Sequence, residues 1–442
     1  MLFARCYCDN TTTIKINQPR RDKVDSFLNS LLPLDIIMIP IQILFSLSAV
    51  YFFVLGMAGL VHSRVPQSHD PHKRFAVIIP AHNEENVIVP LIENLLHLDY
   101  PKELYSIFVI ADNSTDGTAS KAHEAGAIVY ERFHDKQRGK GHALEWMFSK
   151  LDERTETYDA VVIFDADNLV DPQFLKHINN RMCEGSKIVQ GYIDAKNPTD
   201  TWVTACFSMA FWVSNRMLQL ARYNLGLSNY LGGTGMAISK DLLKEIGWGA
   251  TSLTEDLEFS IKALLLGHKT TWAHEAVVYD EKPLTFRQAW DQRRRWALGH
   301  VEVFRTYFGE YIRCACQRKD PLLLDGLIMI IQPILAVSMG FFMIISMINF
   351  KIVSIYTPIF HLIWPPLLWE LVSTLQVVYP FLVIWIDRLP KKIIPWIFVH
   401  YLFFVYSWIP IITISLFSKT RVSWSHTLHT RSLSYKEVLR ER

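Results

Sequence analysis

Four long apolar runs divide this chain, at Ile36–Val61, Leu322–Ile348, Ile355–Ile386 and Ile393–Phe417. Each reaches the ~20 residues that a helix needs to cross a hydrocarbon core. The first follows a polar leader with Arg20, Arg21 and Lys23. A cleavable signal has a shorter apolar stretch close to the terminus, so this run is read as an anchor. Between the first and second runs the period changes. Short buried strands are predicted at Phe75–Pro80, Tyr105–Ala111, Ile128–Tyr130, Ala160–Phe164, Ile188–Tyr192 and Met236–Ser239. Helices are predicted at Glu84–Leu96, Asp116–Ala125, Gly141–Leu151, Thr254–Leu266 and Phe286–Tyr307, with another starting at Asp171-Pro172, Asp as N-cap and Pro in the first turn. The apolar stretch Trp202–Arg222 reads as a helix on the membrane surface or packed on the sheet. Strands alternating with helices predict an α/β domain whose mostly parallel sheet is covered on both faces.

Composition agrees with an integral membrane protein carrying a soluble insert. Half of the residues (50%) are hydrophobic and only 20% charged, greasier than an ordinary soluble domain. The 45 basic and 43 acidic residues leave a net charge of +2, without the basic excess of a nucleic-acid binder. Cys6, Cys8, Cys183, Cys206, Cys314 and Cys316 form no Cys-x-x-Cys zinc pattern and read as reduced thiols in or near cytoplasm.

Ligands of such sheets bind outside the carboxyl ends of the strands, and Asp112 and Asp165 both sit at such ends. In Asp165-Ala166-Asp167, two carboxylates two apart can hold Mg²⁺ or Mn²⁺, hard cations that also take ligands from substrate phosphates; a solvated turn is the plain alternative. Asp112 can accept hydrogen bonds from a nucleoside, while Ser114 or Asp116 caps the next helix. Gly139-Lys140-Gly141 opens a helix and favours an anion. Gly232-Gly233-Thr234-Gly235 lets backbone approach a ligand or is a simple tight turn. Thr254-Glu255-Asp256 reads as a helix cap, or Asp256 as a general base. In Gln292-Arg293-Arg294-Arg295-Trp296, Arg295 can pair with a diphosphate and Trp296 can stack on a sugar; the alternative is an amphipathic helix with arginines at lipid phosphates. Asp325 and Glu370 fall near or within apolar runs, where acids are functional candidates.

The ordered set of Asp112, Asp165-x-Asp167, Thr254-Glu255-Asp256 and Gln292-x-x-Arg295-Trp296 resembles the family 2 glycosyltransferases. It is most similar to their membrane-integrated processive branch, the cellulose, hyaluronan and poly-N-acetylglucosamine synthases. The resemblance covers Phe75 to Trp296 and the flanking helices. It implies a GT-A (Rossmann-like) cytoplasmic domain between transmembrane helices, and inverting β-transfer from a UDP-sugar to a growing polysaccharide, coupled to export through the membrane. It assigns Pro80, Ala81, Asn83, Glu84, Asp112, Lys140, Asp165 and Arg295 to the nucleotide sugar. Gly233, Thr234, Gln292 and Trp296 fall to the acceptor, Asp167 with Asp165 to the metal, and Asp256 with Glu255 to catalysis. Trp424, His429, Thr430 and Arg431 loosely resemble an element near the nucleotide in hyaluronan synthases.

The expected organisation is a leader (1–35), a membrane helix (36–63), the GT-A domain (64–284), amphipathic interface helices (285–320), a transmembrane region (321–417) and a tail (418–442). The multi-pass protein is expected in the cell membrane, in contact with lipid, with a glycan or lipid acceptor and accessory export or regulatory subunits as partners. Asp387, Arg388, Lys391 and Lys392 form a loop of the kind that favours the cytoplasmic side. A crossing by Ile393–Phe417 then puts the basic tail outside, against that rule, unless Pro395 and Pro410 make this run re-entrant or interfacial. The competing readings are a non-processive glycolipid synthase and, more remotely, a transporter or scaffold with a degenerate nucleotide-binding domain.

Overall fold

A computed structural model describes residues 32–61, 66–359, 363–418 and 433–440. Most of the leader, Cys6, Cys8 and the Trp424–Arg431 element lie outside the described residues. Helix α1 (Asp35–Leu60) coincides with the first apolar run. The inserted region follows as β1 (Phe75–Ala81), α2 (Ile88–Leu96), β2 (Tyr105–Asp112), α3 (Thr118–Glu124), β3 (Ile128–Arg132), α4 (Lys140–Asp152), β4 (Ala160–Ile163), β5 (Leu169–Val170), α5 (Phe174–Cys183) and β6 (Ile188–Ala195). Then come α6 (Trp202–Ser214), α7 (Ala221–Asn224), β7 (Met236–Ser239), α8 (Lys240–Ile246), α9 (Glu255–Leu265), β8 (Thr270–Asp280) and α10 (Phe286–Arg318). The remaining helices are α11 (Pro321–Lys351), α12 (Pro366–Ile386), α13 (Ile394–Tyr406), α14 (Trp408–Phe417) and α15 (Tyr435–Arg440).

The eight strands form one sheet in the order β3-β2-β1-β4-β7-β6-β8-β5. Strand β1 shows why it is covered on both sides: Phe75, Val77 and Ile79 enter one core, Ala76 and Ile78 the other. A strand buried on both faces reads as a continuous apolar run, which is why it was legible. The sheet is mostly parallel, as expected, but mixed. β4 and β6 both pair antiparallel with β7, and β5 pairs antiparallel with β8. Strand β8 was not predicted, because its period breaks: the register against β6 shifts between Gly191 and Tyr192, whose partners are Ala273 and Val277. Gly191 is required there, since a Cβ would lie 2.6 Å from the Ala276 carbonyl oxygen.

Helix starts also differ in detail. Helix α5 begins at Phe174 with Gln173 at its cap, and the Asp171 carboxylate, two residues before that cap, accepts from the Gln173 N–H at 2.9 Å. The Trp202–Arg222 helix passes through a π-helical stretch, Asn215–Leu220, before α7. Wide turns of this kind often mark functional sites. Here Asn215 donates to the Ile193 carbonyl, and Arg216 donates to the Gly59 carbonyl and pairs with Asp387.

The described residues fall into two units, one drawn from Met1–Ala49 and Phe341–Glu370, the other from Val50–Gly340 and Leu371–Arg442. In the first, polar side chains of α1 serve an irregular backbone: the Asp35 carboxylate accepts from Thr357 N–H and Gln42 accepts from Ile359 N–H, at 2.7 and 2.8 Å. The second holds the sheet. There Arg222 and Asp325, both almost fully buried, form an ion pair that Tyr51 completes with a 2.6 Å bond to Asp325. The acid suspected of function in an apolar run thus has a structural partner. Removing one member of a buried pair costs about 3–5 kcal/mol because the other charge is stranded. Asp325→Ala should therefore lower the unfolding temperature of the detergent-purified protein by several degrees, and adding Arg222→Leu should restore most of the loss. Equal instability of the single and double variants contradicts the pairing.

Among the described residues, α1, α11 and the Lys391–Phe417 segment are long and apolar enough to cross a membrane; α12, bent by 50° between its halves, is a fourth candidate. The Lys391–Phe417 segment is broken at Ser407. Its α13 packs on α6, its α14 on α10. After it, α15 docks on the far edge of the sheet: Tyr435 donates to Asp171 at 2.9 Å, and Val438 is buried against Leu169 and Tyr279. The tail helix and the sheet therefore lie together. Cys183, Cys206, Cys314 and Cys316 are free thiols.

Candidate active site

One cavity of about 1170 Å³ opens over the carboxyl ends of β1, β2 and β4. Its wall includes Pro80, Ala81, Glu84, Asp112, Lys140, Asp165, Asp167, Gly233, Thr234, Glu255, Asp256, Gln292, Arg295 and Trp296. The sequence motifs, scattered over about half of the chain, meet there. Asn83 is the exception among the predicted site residues. It adopts a left-handed conformation with φ 56° and spends its side chain on the loop, accepting from Thr115 N–H at 2.8 Å.

At one end of the cavity, Asp112 terminates β2 beside Arg132, its register partner on β3. The two form a buried ion pair at 2.6 Å, and Arg132 also donates to the Gln137 carbonyl at 2.7 Å. The sequence reading missed Arg132. Its signal was present: it stands at the end of the strand that pairs with β2. The pair fixes one Asp112 oxygen and leaves the carboxylate at the cavity wall.

The centre of the cavity is an acid cluster with its own counter-charge. Lys140, the first residue of α4, donates to Asp165 at 2.5 Å and to the Gly233 carbonyl at 2.6 Å, and lies 3.7 Å from Glu255. Burial alone would pull its ammonium down, but Asp165 and Glu255 outweigh that and raise it. Glu255 is raised well above the carboxylate range by burial, which Lys140 only partly offsets. Asp256 is raised for the same cause, against the Leu257 N–H that its side chain accepts at 2.8 Å. A carboxylate whose proton affinity is raised is a stronger base.

The Asp165–Asp167 turn is held from several sides. Asn168 and Thr234 both accept from the Asp165 N–H at 3.2 Å, and buried Lys196 donates to the Asp167 carbonyl at 2.7 Å. Among the described residues no group of three or more His, Cys, Asp or Glu is placed to hold a metal. That suits Mg²⁺ or Mn²⁺ of the kind that takes one or two carboxylates and completes its shell from substrate phosphates. The Asp165–Asp167 pair fits such an ion, not an all-protein cage.

Helix α10 forms the opposite wall. Thr254 stands at the N-cap of α9, yet its hydroxyl makes no capping bond; it packs on Gly299 of α10, where a Cβ would lie 2.7 Å from the hydroxyl. The glycine lets the Thr254 turn and α10 touch. The arginine run on α10 is divided in its roles. Arg293 is fully buried, donates to the Phe404 carbonyl and Ser407 hydroxyl at 3.0 and 2.8 Å, and stacks on Phe404. It thus clamps the break between α13 and α14. Arg295 lines the cavity and has no ion-pair partner among the described residues. Trp296 lies edge-on to Phe207 and Phe211. Beyond it the wall continues through His300, Met329, Gln332, Phe404 and Trp408, none of which the sequence reading named.

A sequence family described as "Glycosyltransferase like family 2" matches residues 71–299. The chain is 27% identical over 282 residues to a beta-monoglucosyldiacylglycerol synthase of Nostoc, covering 59% of this chain and 57% of that one. It is 25% identical over 274 residues to a poly-beta-1,6-N-acetyl-D-glucosamine synthase of Staphylococcus epidermidis, covering 60% and 64%. A probable glycosyltransferase of Bacillus subtilis is 26% identical over 254 residues, covering 55% and 59%. The chain thus spans less than two thirds of the length of each of these relatives. Among solved structures, a mannosyltransferase from Pyrobaculum calidifontis in complex with GDP-Man and Mn²⁺ matches with a TM-score of 0.56 at 19% identity, over 86% of this chain and 98% of that one. That likeness concerns the fold.

Proposed function

The chain belongs to the family 2 glycosyltransferases, with their GT-A fold, and from that premise we propose that it moves a sugar from a UDP-sugar, with inversion, onto an acceptor hydroxyl presented at the membrane. The observation that carries this reading is the single cavity joining Asp112, Asp165, Asp167, Asp256, Arg295 and Trp296. Asp112, steadied by Arg132, holds the nucleoside. Asp256 takes the proton of the acceptor hydroxyl, whose oxygen attacks the anomeric carbon as the bond to the diphosphate breaks. Lys140 and Arg295 balance the charge that collects on the leaving diphosphate. Asp167 and Asp165 would hold a Mg²⁺ or Mn²⁺ ion, which would supply Lewis-acid stabilisation of that charge.

The acceptor is proposed to be a growing polysaccharide. A glycolipid is the second reading, favoured by the apolar wall that Met329, Phe404 and Trp408 give the cavity's far end. We place the sheet and the tail on the cytoplasmic side and Lys391–Phe417 at the interface rather than across the bilayer. The docking of α13 on α6, α14 on α10 and α15 on the sheet supports that placement.

Purified protein given Mn²⁺ or Mg²⁺ and a panel of UDP-sugars should release UDP, and chelation with EDTA should abolish the release until metal is restored. Product size then separates the acceptor readings: long chains for a polysaccharide, one sugar on a lipid for a glycolipid. Absence of nucleotide release with every donor and either metal contradicts the transferase proposal.

A further inference from the structure

Helix α11 carries Pro333 inside its run. Proline has no N–H, so the carbonyl four residues earlier, that of Met329, loses its helical donor. His300 of α10 replaces it: its Nε2 lies 2.7 Å from the Met329 carbonyl oxygen. A ring that donates through Nε2 and is neutral keeps Nδ1 as a bare acceptor. Burial pulls the His300 ring down to about 4, and the bond to Met329 offsets this only in part, so the ring is neutral at ordinary pH. Gln332 lies three residues after Met329 and so shares its face of the helix. It is a polar residue in an apolar run, exposed at the cavity wall. His300, Met329 and Gln332 all line the cavity, together with Phe404 and Trp408.

We propose that His300 Nδ1 and the Gln332 amide form a hydroxyl-binding subsite for the acceptor, selective for a neutral polyol. That chemistry is shared by the sugar units of a glycan and the glycerol of a diglyceride. The lone pair of Nδ1 attracts an O–H and repels a phosphate or carboxylate. Arg293 and Arg295 also line this cavity, so the neutral preference belongs to the Nδ1 contact and not to the cavity as a whole. An amide offers an NH₂ donor group and a carbonyl acceptor, which match a second hydroxyl. Trp408 adds an aromatic surface of the kind that sugar rings cover. The subsite rests on the transferase reading above for its role, but not for its binding chemistry.

A binding experiment separates the two. Tryptophan fluorescence of the full chain in neutral detergent micelles is titrated with cello- and chito-oligosaccharides, with dioctanoylglycerol, and with phosphatidylglycerol. The variants are His300→Gln, which keeps a donor for the Met329 carbonyl but loses Nδ1, and Gln332→Leu. Saturable quenching by an oligosaccharide or by dioctanoylglycerol is expected, and whichever responds identifies the source of the polyol. Each variant should weaken that binding about three- to tenfold, the value of one hydrogen bond, while UDP affinity is kept. The subsite is overturned if neither polyol class binds, if only phosphatidylglycerol binds, or if both variants bind as the wild type does. Polyol binding weakened by the variants in a protein that turns over no UDP-sugar sustains the subsite and removes the transferase reading instead.

Discussion

Asp256→Asn should lower turnover by about 10²–10⁴-fold, the contribution of a positioned base, while UDP binding measured by calorimetry stays within a factor of two or so of wild type. The amide is nearly isosteric and still accepts from Leu257 N–H, so loss of fold is not the expected cause. The pH dependence gives a second check on the same residue. Burial raises both Asp256 and its neighbour Glu255 above the usual carboxylate range. A base works only when unprotonated, so kcat/KM should fall as pH drops through that raised value, at higher pH than for a solvent-exposed aspartate. Normal turnover in Asp256→Asn removes the residue from the base role.

Asp167→Asn should cost a comparable amount for another reason. Lewis-acid stabilisation of a leaving diphosphate is worth several kcal/mol, which corresponds to roughly 10²–10³-fold or more in rate. The variant should also lose Mn²⁺ binding, read by electron paramagnetic resonance in the presence of UDP, whereas Asp256→Asn should retain it. Metal binding and turnover that both survive in Asp167→Asn would falsify the assignment of Asp167 as the metal ligand. The two variants thus dissect the cluster around Lys140 into a part that handles the acceptor proton and a part that handles the leaving group.

The gathering of these acids at one cavity was readable from sequence because they follow apolar strands or open amphipathic helices. A carboxylate at such a boundary, as at Asp112 or Asp165, has a predictable address at one edge of a sheet. Its counter-charges were not readable in the same way. Arg132 stands twenty residues from Asp112 in the chain and becomes its partner only through the register of β2 and β3. Strand β8 was lost because a bulge opposite Gly191 breaks the two-residue period. The far wall of the cavity was lost because His300 reaches the Met329 carbonyl only where α10 and α11 come together in the fold, a tertiary event without a local signature. Thr254 is the reverse case. Its sequence context advertises a cap, but the close approach of Gly299 gives its side chain another neighbour.

The docking of α15 on the sheet matters for handling the protein as well as for its topology. Strand β5 is only two residues long and ends the sheet, and an uncovered edge offers its amides to any passing chain. With Val438 and Tyr435 lying over Leu169 and Tyr279, that end of the sheet is shielded by α15. Shortening the chain before Tyr435, or forcing a bulky fusion against it, should therefore show first as self-association and poor yield.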